Sequence, residues 1–356
     1  MNNFEISTIM AVHNGQRFLG QAIESILNQS YSNFELIIVN DHSTDDSQTI
    51  IDHYSNNDRR IIQIKNQKNQ GLTKSLNLGI NLAQGTFVAR MDADDISHPA
   101  RFEKQINFLK SHTEIGLLGT NGFYFDENGK TLGPLNHYEN DLEIRWGTLF
   151  NSEFLHSSIM FRRDLFKLVG GYAEENKFAQ DYELYSRLLN YSKGANLKDR
   201  LVYWRRTSEN ITSKNKEDQL LLGTQTAINN INQLFNYDYV TDHNEIMVLR
   251  GFNDRTYNNA GEDQINQYLR IIEKFIDTHQ ISPAEKKRFI TGVTAKLFES
   301  LFRRGINDSN RKFLARIVRM SPFAPLIGLR NMFLRIIKKR FAKSKRPENE
   351  IDLART

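Results

Sequence analysis

Residues 6–40, ISTIMAVHNGQRFLGQAIESILNQSYSNFELIIVN, decide the fold class, because two apolar runs flank one amphipathic stretch. ISTIMAV (6–12) and FELIIVN (34–40) are rich in strand-forming residues, whereas RFLGQAIESILNQ (17–29) has helical periodicity. Strands that are apolar on both faces are typical of a parallel sheet covered by helices on both sides. This stretch therefore predicts a β-α-β unit with a right-handed crossover.

The same alternation continues outward from this unit. It predicts a helix near 46–57, a strand RIIQIK (60–65), a helix near 72–83 and a strand TFVARM (86–91). Gly71 and Gly85 bracket the third helix, and Gly85 lies where a helix C-cap favours glycine. We therefore predict an α/β fold with a mostly parallel sheet flanked by helices.

Beyond residue 115 the pattern changes twice. Residues 115–205 are mixed, with IGLLGTNGFYF and SSIMF as predicted strands and QDYELYSRLLNYS as a predicted helix. Residues 215–340 show only amphipathic helical patterns, including one that begins at Ser282 and Pro283. The predicted domains are an α/β domain over 1–213, an all-helical C-terminal extension over 214–320, and a basic amphipathic helix with a tail over 321–356.

Bulk composition narrows the possible classes of function. The 356 residues contain no cysteine, which excludes a disulfide framework, a thiolate nucleophile and a cysteine-based zinc site. The sequence has neither 18 consecutive apolar residues nor a signal-peptide pattern, so we expect a cytoplasmic protein. The net charge of +5 is uneven, because residues 303–346 hold fourteen Lys/Arg and one acid, Asp308. Such a tail suits nucleic acid or an anionic membrane, and it also fits a solvated face.

Three carboxylates, Asp92, Asp94 and Asp95, directly follow the strand TFVARM. Open α/β sheets bind ligands beyond the carboxyl ends of their strands, so this position favours a ligand site. Closely spaced carboxylates suit Mg²⁺ or Mn²⁺, which take a few protein oxygens and complete their shell with phosphates and water. The alternative is capping of the helix that Pro99 opens. The loop lacks the Gly and terminal Glu of an EF-hand.

A second acidic turn, VNDHSTDDS (39–47), follows the second strand. Asp41 lies at the strand end, where its carboxylate is suited to hydrogen bonding with a heterocycle or a ribose. Asp45, Asp46 and Ser47 are better explained as caps of the next helix. Capping is also the alternative for Asp41.

Three segments carry a resemblance to a known family. They are ISTIMAVHNGQRFLGQAIESILNQSYSNFELIIVNDHSTDDS, NQGLTKSLNLGINLAQGTFVARMDADDISHPARFEKQINFL and HSSIMFRRDLFKLVGGYAEENKFAQDYELYSRLL. In order and spacing they resemble the inverting, nucleotide-sugar-dependent glycosyltransferases of family 2, over about residues 5–212. The resemblance implies the Rossmann-like GT-A fold for the α/β domain.

The resemblance also implies a donor site. The segment Asp92-Ala93-Asp94 matches the D-x-D motif, so Asp94 would bind a divalent cation (Mn²⁺ or Mg²⁺) and Asp92 would contact the metal or the ribose. Asp41 matches the acid that binds the base, commonly uracil. The remaining members of the implied nucleotide-sugar set are Ala11, Val12, His13, which replaces the more usual Tyr, and Asn77. Asn40 and Gln70 depart from the more common Asp and Arg.

On the acceptor side, Asp181 matches the Asp of the Glu-Asp motif and would act as general base. The alternative for Asp181 is an acid that stabilises a helix N-terminus. Gln180 replaces the usual Glu beside it, and His156 is assigned to the acceptor side or to a structural role. In WRRTSENIT (204–212), which resembles the closing motif, Arg205 or Arg206 would supply a cation to the diphosphate, although the usual His is absent.

The function that the resemblance implies is transfer of one sugar from a nucleotide-diphospho-sugar, commonly UDP-linked, to a glycan or lipid-linked acceptor in bacterial surface polysaccharide synthesis. The alternatives are a metal-dependent nucleotidyltransferase and a non-catalytic membrane scaffold. No nucleic-acid partner is expected. A helical wheel of 321–346 places one set of apolar residues opposite Arg335, Lys338 and Lys339: Phe323, Leu326, Ile327, Phe333, Leu334, Ile337 and Phe341. This pattern predicts peripheral binding to an anionic membrane, with packing on the catalytic domain as the alternative.

Overall fold

The computed structural model describes residues 4–207, 215–237, 239, 241–254, 262–279, 281–302 and 308–332. Within these, the chain forms two compact units. The first holds the residues up to 145 together with 152–223, and the second holds 146–151 together with the described residues from 224 onward. The boundary predicted at residue 213 falls outside the described residues, as does most of the predicted tail helix.

One nine-stranded sheet forms the centre of the first unit. Its strand order is β3-β2-β1-β4-β8-β6-β9-β5, and β7 pairs with β6 beside this path. The strands are β1 (Ile6–Val12), β2 (Phe34–Asn40), β3 (Ile61–Lys65), β4 (Phe87–Arg90), β5 (Ile96–Ser97), β6 (Ile115–Phe125), β7 (Thr131–Leu135), β8 (Met160–Arg162) and β9 (Lys193–Arg205). The strands from β3 to β4 are mutually parallel, as predicted, and β8 joins β4 and β6 antiparallel to both.

Helices cover both faces of this sheet. They are α1 (Leu19–Leu27), α2 (Ser47–Asn57), α3 (Leu72–Leu82), α4 (Arg101–Ser111), α5 (Asp141–Thr148), α6 (Arg163–Val169) and α7 (Gln180–Leu189). Alternate residues of β1 point to opposite faces, so Met10 packs in one core layer with Ile23 of α1, whereas Ile9 packs in the other with Leu76 of α3. Burial on both faces explains the continuous apolar sequence of the strand.

The structure corrects one expectation about glycine. Helix α3 ends at Leu82, and its C-cap is Ala83 rather than Gly85. A Cβ added at Gly85 would lie 2.7 Å from the backbone nitrogen of Ser7, so Gly85 is required by close backbone approach to β1. Gly71 is the N-cap of α3 and has a φ of +90°, which favours glycine.

Five elements have no counterpart in the predicted pattern: β5, β7, α5, α6 and β9. Strand β9, KGANLKDRLVYWR, carries charges at its centre, so its apolar residues do not form one continuous run. It nevertheless pairs along β6, from Ile115 to Phe125. In the predicted strand SSIMF, the serines form a 3₁₀ turn (His156–Ser158) and the strand β8 begins at Met160.

The second unit is helical in the part that the structure describes. Its helices are the part of α8 (Lys216–Leu234) from residue 224 onward, α9 (His243–Asp254), α10 (Glu262–Thr278), α11 (Pro283–Phe302) and α12 (Asp308–Met320), and residues 324–332 are also helical. Trp146, which is fully buried, contacts Tyr268, Phe275 and Phe289 edge-on. Ser282 caps α11 as predicted, because its hydroxyl and Glu285 exchange hydrogen bonds in a capping box. Among the described residues, no helix combines the length and apolarity needed to cross a membrane.

Candidate active site

The candidate site lies at the carboxyl ends of β1, β2 and β4, where these neighbouring parallel strands end at one edge of the sheet. Ligand atoms of Asp92, Asp94 and Asp95 lie within 4.8 Å of one another just after β4. Asp95 is buried, and Asp92 and Asp94 are partly exposed. The three acids singled out in the sequence therefore form one cluster.

Buried groups behind the cluster hold Asp92 in place. Its carboxylate forms an ion pair with Arg90, the last residue of β4, whose side chain is buried. The Ser157 hydroxyl lies 2.9 Å from Asp92 Oδ2 and also contacts Asp95 Oδ2, while Arg90 Nη1 donates to the same hydroxyl at 3.1 Å. Ser157 thus connects two of the three acids. Sequence reasoning did not identify Arg90 or Ser157, because nothing in the local sequence places residue 157 beside residue 92.

Arg205 is committed to protein contacts in this structure. Its backbone N–H donates to Asp95 Oδ1 at 2.8 Å and its Nε donates to the Asp94 carbonyl at 2.7 Å. Its guanidinium lies 4.0 Å and 4.3 Å from the ring centres of Phe18 and Phe125. Arg206, by contrast, is exposed. Of the two arginines assigned to the diphosphate, Arg206 has the accessible side chain.

The surroundings of the three acids shift their pKa values in different directions. Burial opposes ionisation of Asp92, but the nearby charge of Arg90 outweighs it and holds the pKa of Asp92 below its usual range. Burial and the negative charge of Asp92 raise the pKa of Asp94 to about 7, and burial with both neighbours raises the pKa of Asp95. Three crowded carboxylates repel one another without a cation. This donor set of oxygens therefore fits a hard divalent ion.

Asp41 is buried after β2, and its carboxylate organises the start of α3. Oδ1 accepts from Asn66 Nδ2 at 2.7 Å and from the Gln70 N–H at 2.9 Å, and Oδ2 accepts from the Gly71 N–H at 2.7 Å. Asp41 does not cap the helix α2 that follows it in sequence. The capping expected of Asp45 is found in part, because its Oδ1 accepts from the Ser47 N–H at 3.0 Å.

The loop after β1 joins the loop after β2. His13 is exposed, and its Nδ1 lies 2.8 Å from the Asp41 carbonyl. The Asn14 N–H donates to Ser43, and the Thr44 N–H donates back to Asn14 Oδ1. Ala11 is partly exposed at the end of β1, whereas Val12 is buried. These bonds fix one surface at the sheet edge, formed by His13 and the loop around residue 43.

Asp181 lies in the first turn of α7. Burial raises its pKa, although backbone amides of Tyr182 and of its own residue and the charge of Arg90 act in the opposite direction. The negative charge of Asp92 also raises the pKa of Asp181. Ala179 is the N-cap of α7 and has a left-handed backbone conformation, with a φ of +56°. This conformation is costly for a residue with a Cβ. Gln180 is buried beside it.

His156 and Asn77 both contact Tyr172, a residue that the sequence analysis did not select. His156 Nε2 lies 2.8 Å from the Tyr172 hydroxyl, and burial and Arg90 lower the pKa of His156 well below its usual value. Asn77 of α3 donates from Nδ2 to the Tyr172 carbonyl and accepts from the Tyr172 N–H, both at 2.9 Å. The structure therefore brings His156 near the acids and places Asn77 against the chain that leads to Asp181.

The fold, with an acid cluster at the carboxyl ends of its parallel strands, is that of a glycosyltransferase of the GT-A class. Residues 7–170 match the family described as glycosyl transferase family 2. The chain is 36% identical over 213 residues to EpsE of Bacillus subtilis (strain 168), covering 58% of this chain and 74% of EpsE. It is 34% identical over 186 residues to the O-antigen biosynthesis glycosyltransferase WbnJ of Escherichia coli, covering 52% of this chain and 72% of WbnJ.

Among solved structures, S. aureus TarS 1–349 in complex with UDP-GlcNAc matches with a TM-score of 0.57 and 18% identity, over 98% of this chain and 95% of that chain. At this identity the match speaks for the fold alone. The chain belongs to glycosyltransferase family 2 and is a glycosyltransferase with the GT-A fold. The family and fold predictions are confirmed.

Proposed function

We propose that the protein is an inverting glycosyltransferase that moves one sugar from a UDP-sugar to a hydroxyl of a glycan or lipid-linked acceptor in bacterial surface polysaccharide synthesis. The observation that carries the proposal is the pairing of two unlike acid sites: a carboxylate cluster at the end of β4 and a partly buried carboxylate, Asp181, on which the charges of Arg90 and Asp92 act. The O-antigen role in the name of WbnJ and the UDP-GlcNAc bound to TarS support the choice of pathway and donor.

Asp94 and Asp92 would hold a divalent cation, Mn²⁺ or Mg²⁺. When bound, such an ion supplies Lewis-acid stabilisation of charge on the leaving diphosphate. The residues behind the cluster serve this role by orientation, since Arg90 and Ser157 fix Asp92 before any ligand arrives. Arg206 is positioned by the hydrogen bond from its N–H to the Phe125 carbonyl, and its exposed side chain is the cation we assign to the diphosphate.

Asp181 would remove the proton from the attacking acceptor hydroxyl. Inversion requires that this hydroxyl attack the anomeric carbon on the face opposite the departing UDP, so no covalent sugar-enzyme bond forms. A carboxylate with a low pKa accepts protons poorly. Because the pKa of Asp181 is raised, its carboxylate is a stronger general base. His156, which is kept neutral by burial and Arg90, would line the acceptor side without adding charge.

The hydrogen bonds of Asp41 favour uracil over guanine. A carboxylate offers about four lone-pair directions, and three N–H groups already occupy both of those on Oδ1 and one on Oδ2. One acceptor position remains. Uracil presents a single N–H between two carbonyls, whereas guanine presents two adjacent N–H donors that need both carboxylate oxygens. The exposed His13 would pack against the base.

Asn77 would act by positioning rather than by contact with the donor. Both polar atoms of its side chain are bonded to the backbone of Tyr172. One turn earlier on the same helix, Thr73 Oγ1 donates to the Asn176 carbonyl at 3.1 Å. Helix α3 is thereby hydrogen-bonded to the backbone of two residues, Tyr172 and Asn176, in the segment that precedes Gln180 and Asp181.

A donor screen followed by product analysis tests the proposal. The protein should be stabilised against heat by UDP-sugars in the presence of Mn²⁺, and turnover should release UDP. Asp94→Ala is the matched control and should lose the metal-dependent stabilisation. Release of pyrophosphate instead of UDP would point to nucleotidyl transfer. Failure of UDP-, GDP- and dTDP-sugars alike to stabilise the protein, with or without Mn²⁺, would refute donor binding.

A further inference from the structure

The helical stretch 324–332 has two unlike faces. Ala324 and Gly328 face α11, and a Cβ added at Gly328 would lie 2.8 Å from Phe298 Cδ1 and 3.2 Å from the Ala295 carbonyl. Small residues thus let this helix approach α11 closely. Because Ala324 and Gly328 are four positions apart, they lie on one side of the helix.

The large apolar residues lie on the other side and contact solvent. Phe323, Leu326 and Leu329 are 55%, 66% and 42% exposed, and their spacing of three residues forms a stripe. A soluble helix normally buries its largest apolar side chains and exposes small or polar ones. Here the arrangement is reversed, since the helix packs through its small residues and exposes its large ones.

Cations flank this stripe in the described structure. Lys287 Nζ of α11 lies 5.8 Å from the centre of the Phe323 ring, and Arg319 and Arg330 are exposed at either end. The surrounding sequence continues the charge, with fourteen Lys/Arg and one acid over residues 303–346. The predicted remainder of the apolar face, from Phe333 onward, lies outside the described residues.

We propose that Phe323, Leu326 and Leu329, with Lys287, Arg319 and Arg330, form a surface that binds the anionic headgroup region of a lipid bilayer. The apolar stripe would insert at the boundary between headgroups and acyl chains, and the cations would neutralise lipid phosphates. Nucleic acid shares the charge preference but gives no reason for an exposed stripe of Phe and Leu. An enzyme held in this way would meet a lipid-linked acceptor at the membrane surface.

Vesicle co-sedimentation with the full chain tests this surface. Wild-type protein should pellet with phosphatidylcholine vesicles that contain phosphatidylglycerol, and pellet weakly with phosphatidylcholine alone. The triple variant Phe323→Ser, Leu326→Ser, Leu329→Ser should bind about tenfold more weakly or worse. The matched control is Leu220→Ser with Leu221→Ser, because these leucines of α8 are 44% and 54% exposed and belong to the first unit, not to the helical unit that carries the stripe.

Circular dichroism and thermal unfolding should show both variants folded, since every substituted side chain is exposed. Transfer to a soluble acceptor without vesicles should be unchanged in the triple variant, which separates this proposal from the proposed function. Equal vesicle binding by wild type and triple variant would overturn the proposal. Equal binding to both vesicle types, or binding to duplex DNA with none to vesicles, would overturn it as well.

Discussion

The acid cluster after β4 and the single acid Asp181 both consist of aspartate side chains, but their surroundings shift the pKa of Asp92 and the pKa of Asp181 in opposite directions. Asp92 is held by a full positive charge from Arg90 and by the Ser157 hydroxyl, so its pKa lies below the usual range. Asp181 is held by backbone amides at a helix start, and burial raises its pKa. The difference teaches that environment separates a carboxylate suited to bind a cation from one suited to accept a proton.

Asp181→Asn should remove the proton acceptor and leave the donor site intact. We expect kcat to fall by roughly 10²–10⁴-fold, because this is the usual contribution of a general base. Steady-state transfer assays measure kcat, and calorimetry with UDP and Mn²⁺ measures donor affinity, which should stay unchanged. A variant with near wild-type kcat would remove Asp181 from the reaction.

The pH profile sharpens the same prediction. A base works only when ionised, so kcat should fall as pH drops through the pKa of Asp181. Because burial raises that pKa, the fall should begin above the ordinary Asp value of 3.8. Saturating Mn²⁺ keeps the acid cluster loaded during the titration. Persistence of the same acid limb in Asp181→Asn would assign the limb to another group.

Asp94→Asn should affect the acid cluster after β4 and not Asp181. It replaces a carboxylate by a neutral amide in the cluster, so Mn²⁺ affinity should fall by at least about 10²-fold, above the usual cost of losing a supporting residue. Titration of the metal, followed by electron paramagnetic resonance, measures the affinity. The acid limb of the pH profile at saturating metal should be retained. Unchanged metal affinity would exclude Asp94 as a ligand.

Ser157→Ala removes one support while keeping every carboxylate. We expect Mn²⁺ affinity to fall by roughly 10–100-fold, the usual cost of losing a residue that orients a ligand. Ser157→Thr keeps the hydroxyl and is the matched comparison. A loss of thermal stability without a change in metal affinity would limit Ser157 to a structural role.

Asn77→Ala should have the smallest effect and fall on the Asp181 side alone. Loss of two neutral hydrogen bonds to Tyr172 is worth about 1–3 kcal/mol at most, and only part of it reaches the reacting geometry. We expect kcat to fall by roughly tenfold while UDP affinity stays unchanged. Asn81→Ala, an exposed asparagine on the same helix, is the control. Weaker UDP binding in Asn77→Ala would support the donor contact implied by the family resemblance.

Much of the first unit was predictable because its signals are local. β1, β2 and β6 match the predicted runs to the residue, since each is mostly buried and rich in apolar residues. Strand β9 was not predictable, because its polar centre is stabilised by pairing with β6, which lies about 80 residues earlier. The acid cluster was visible as spacing in the sequence. Its supports, Arg90 and Ser157, depend on a contact between β4 and the turn before β8.

The position of Trp146 affects how this chain can be divided for expression. The indole belongs to the helical unit, yet Trp146 is a residue of α5, which begins in the first unit. A fragment that stops at residue 213 would keep Trp146 and Phe150 but lose Tyr268, Phe275 and Phe289, which surround the indole. Two large rings would then face water. Truncations intended to isolate the transferase half should therefore replace both residues with polar ones, or retain the partner helices.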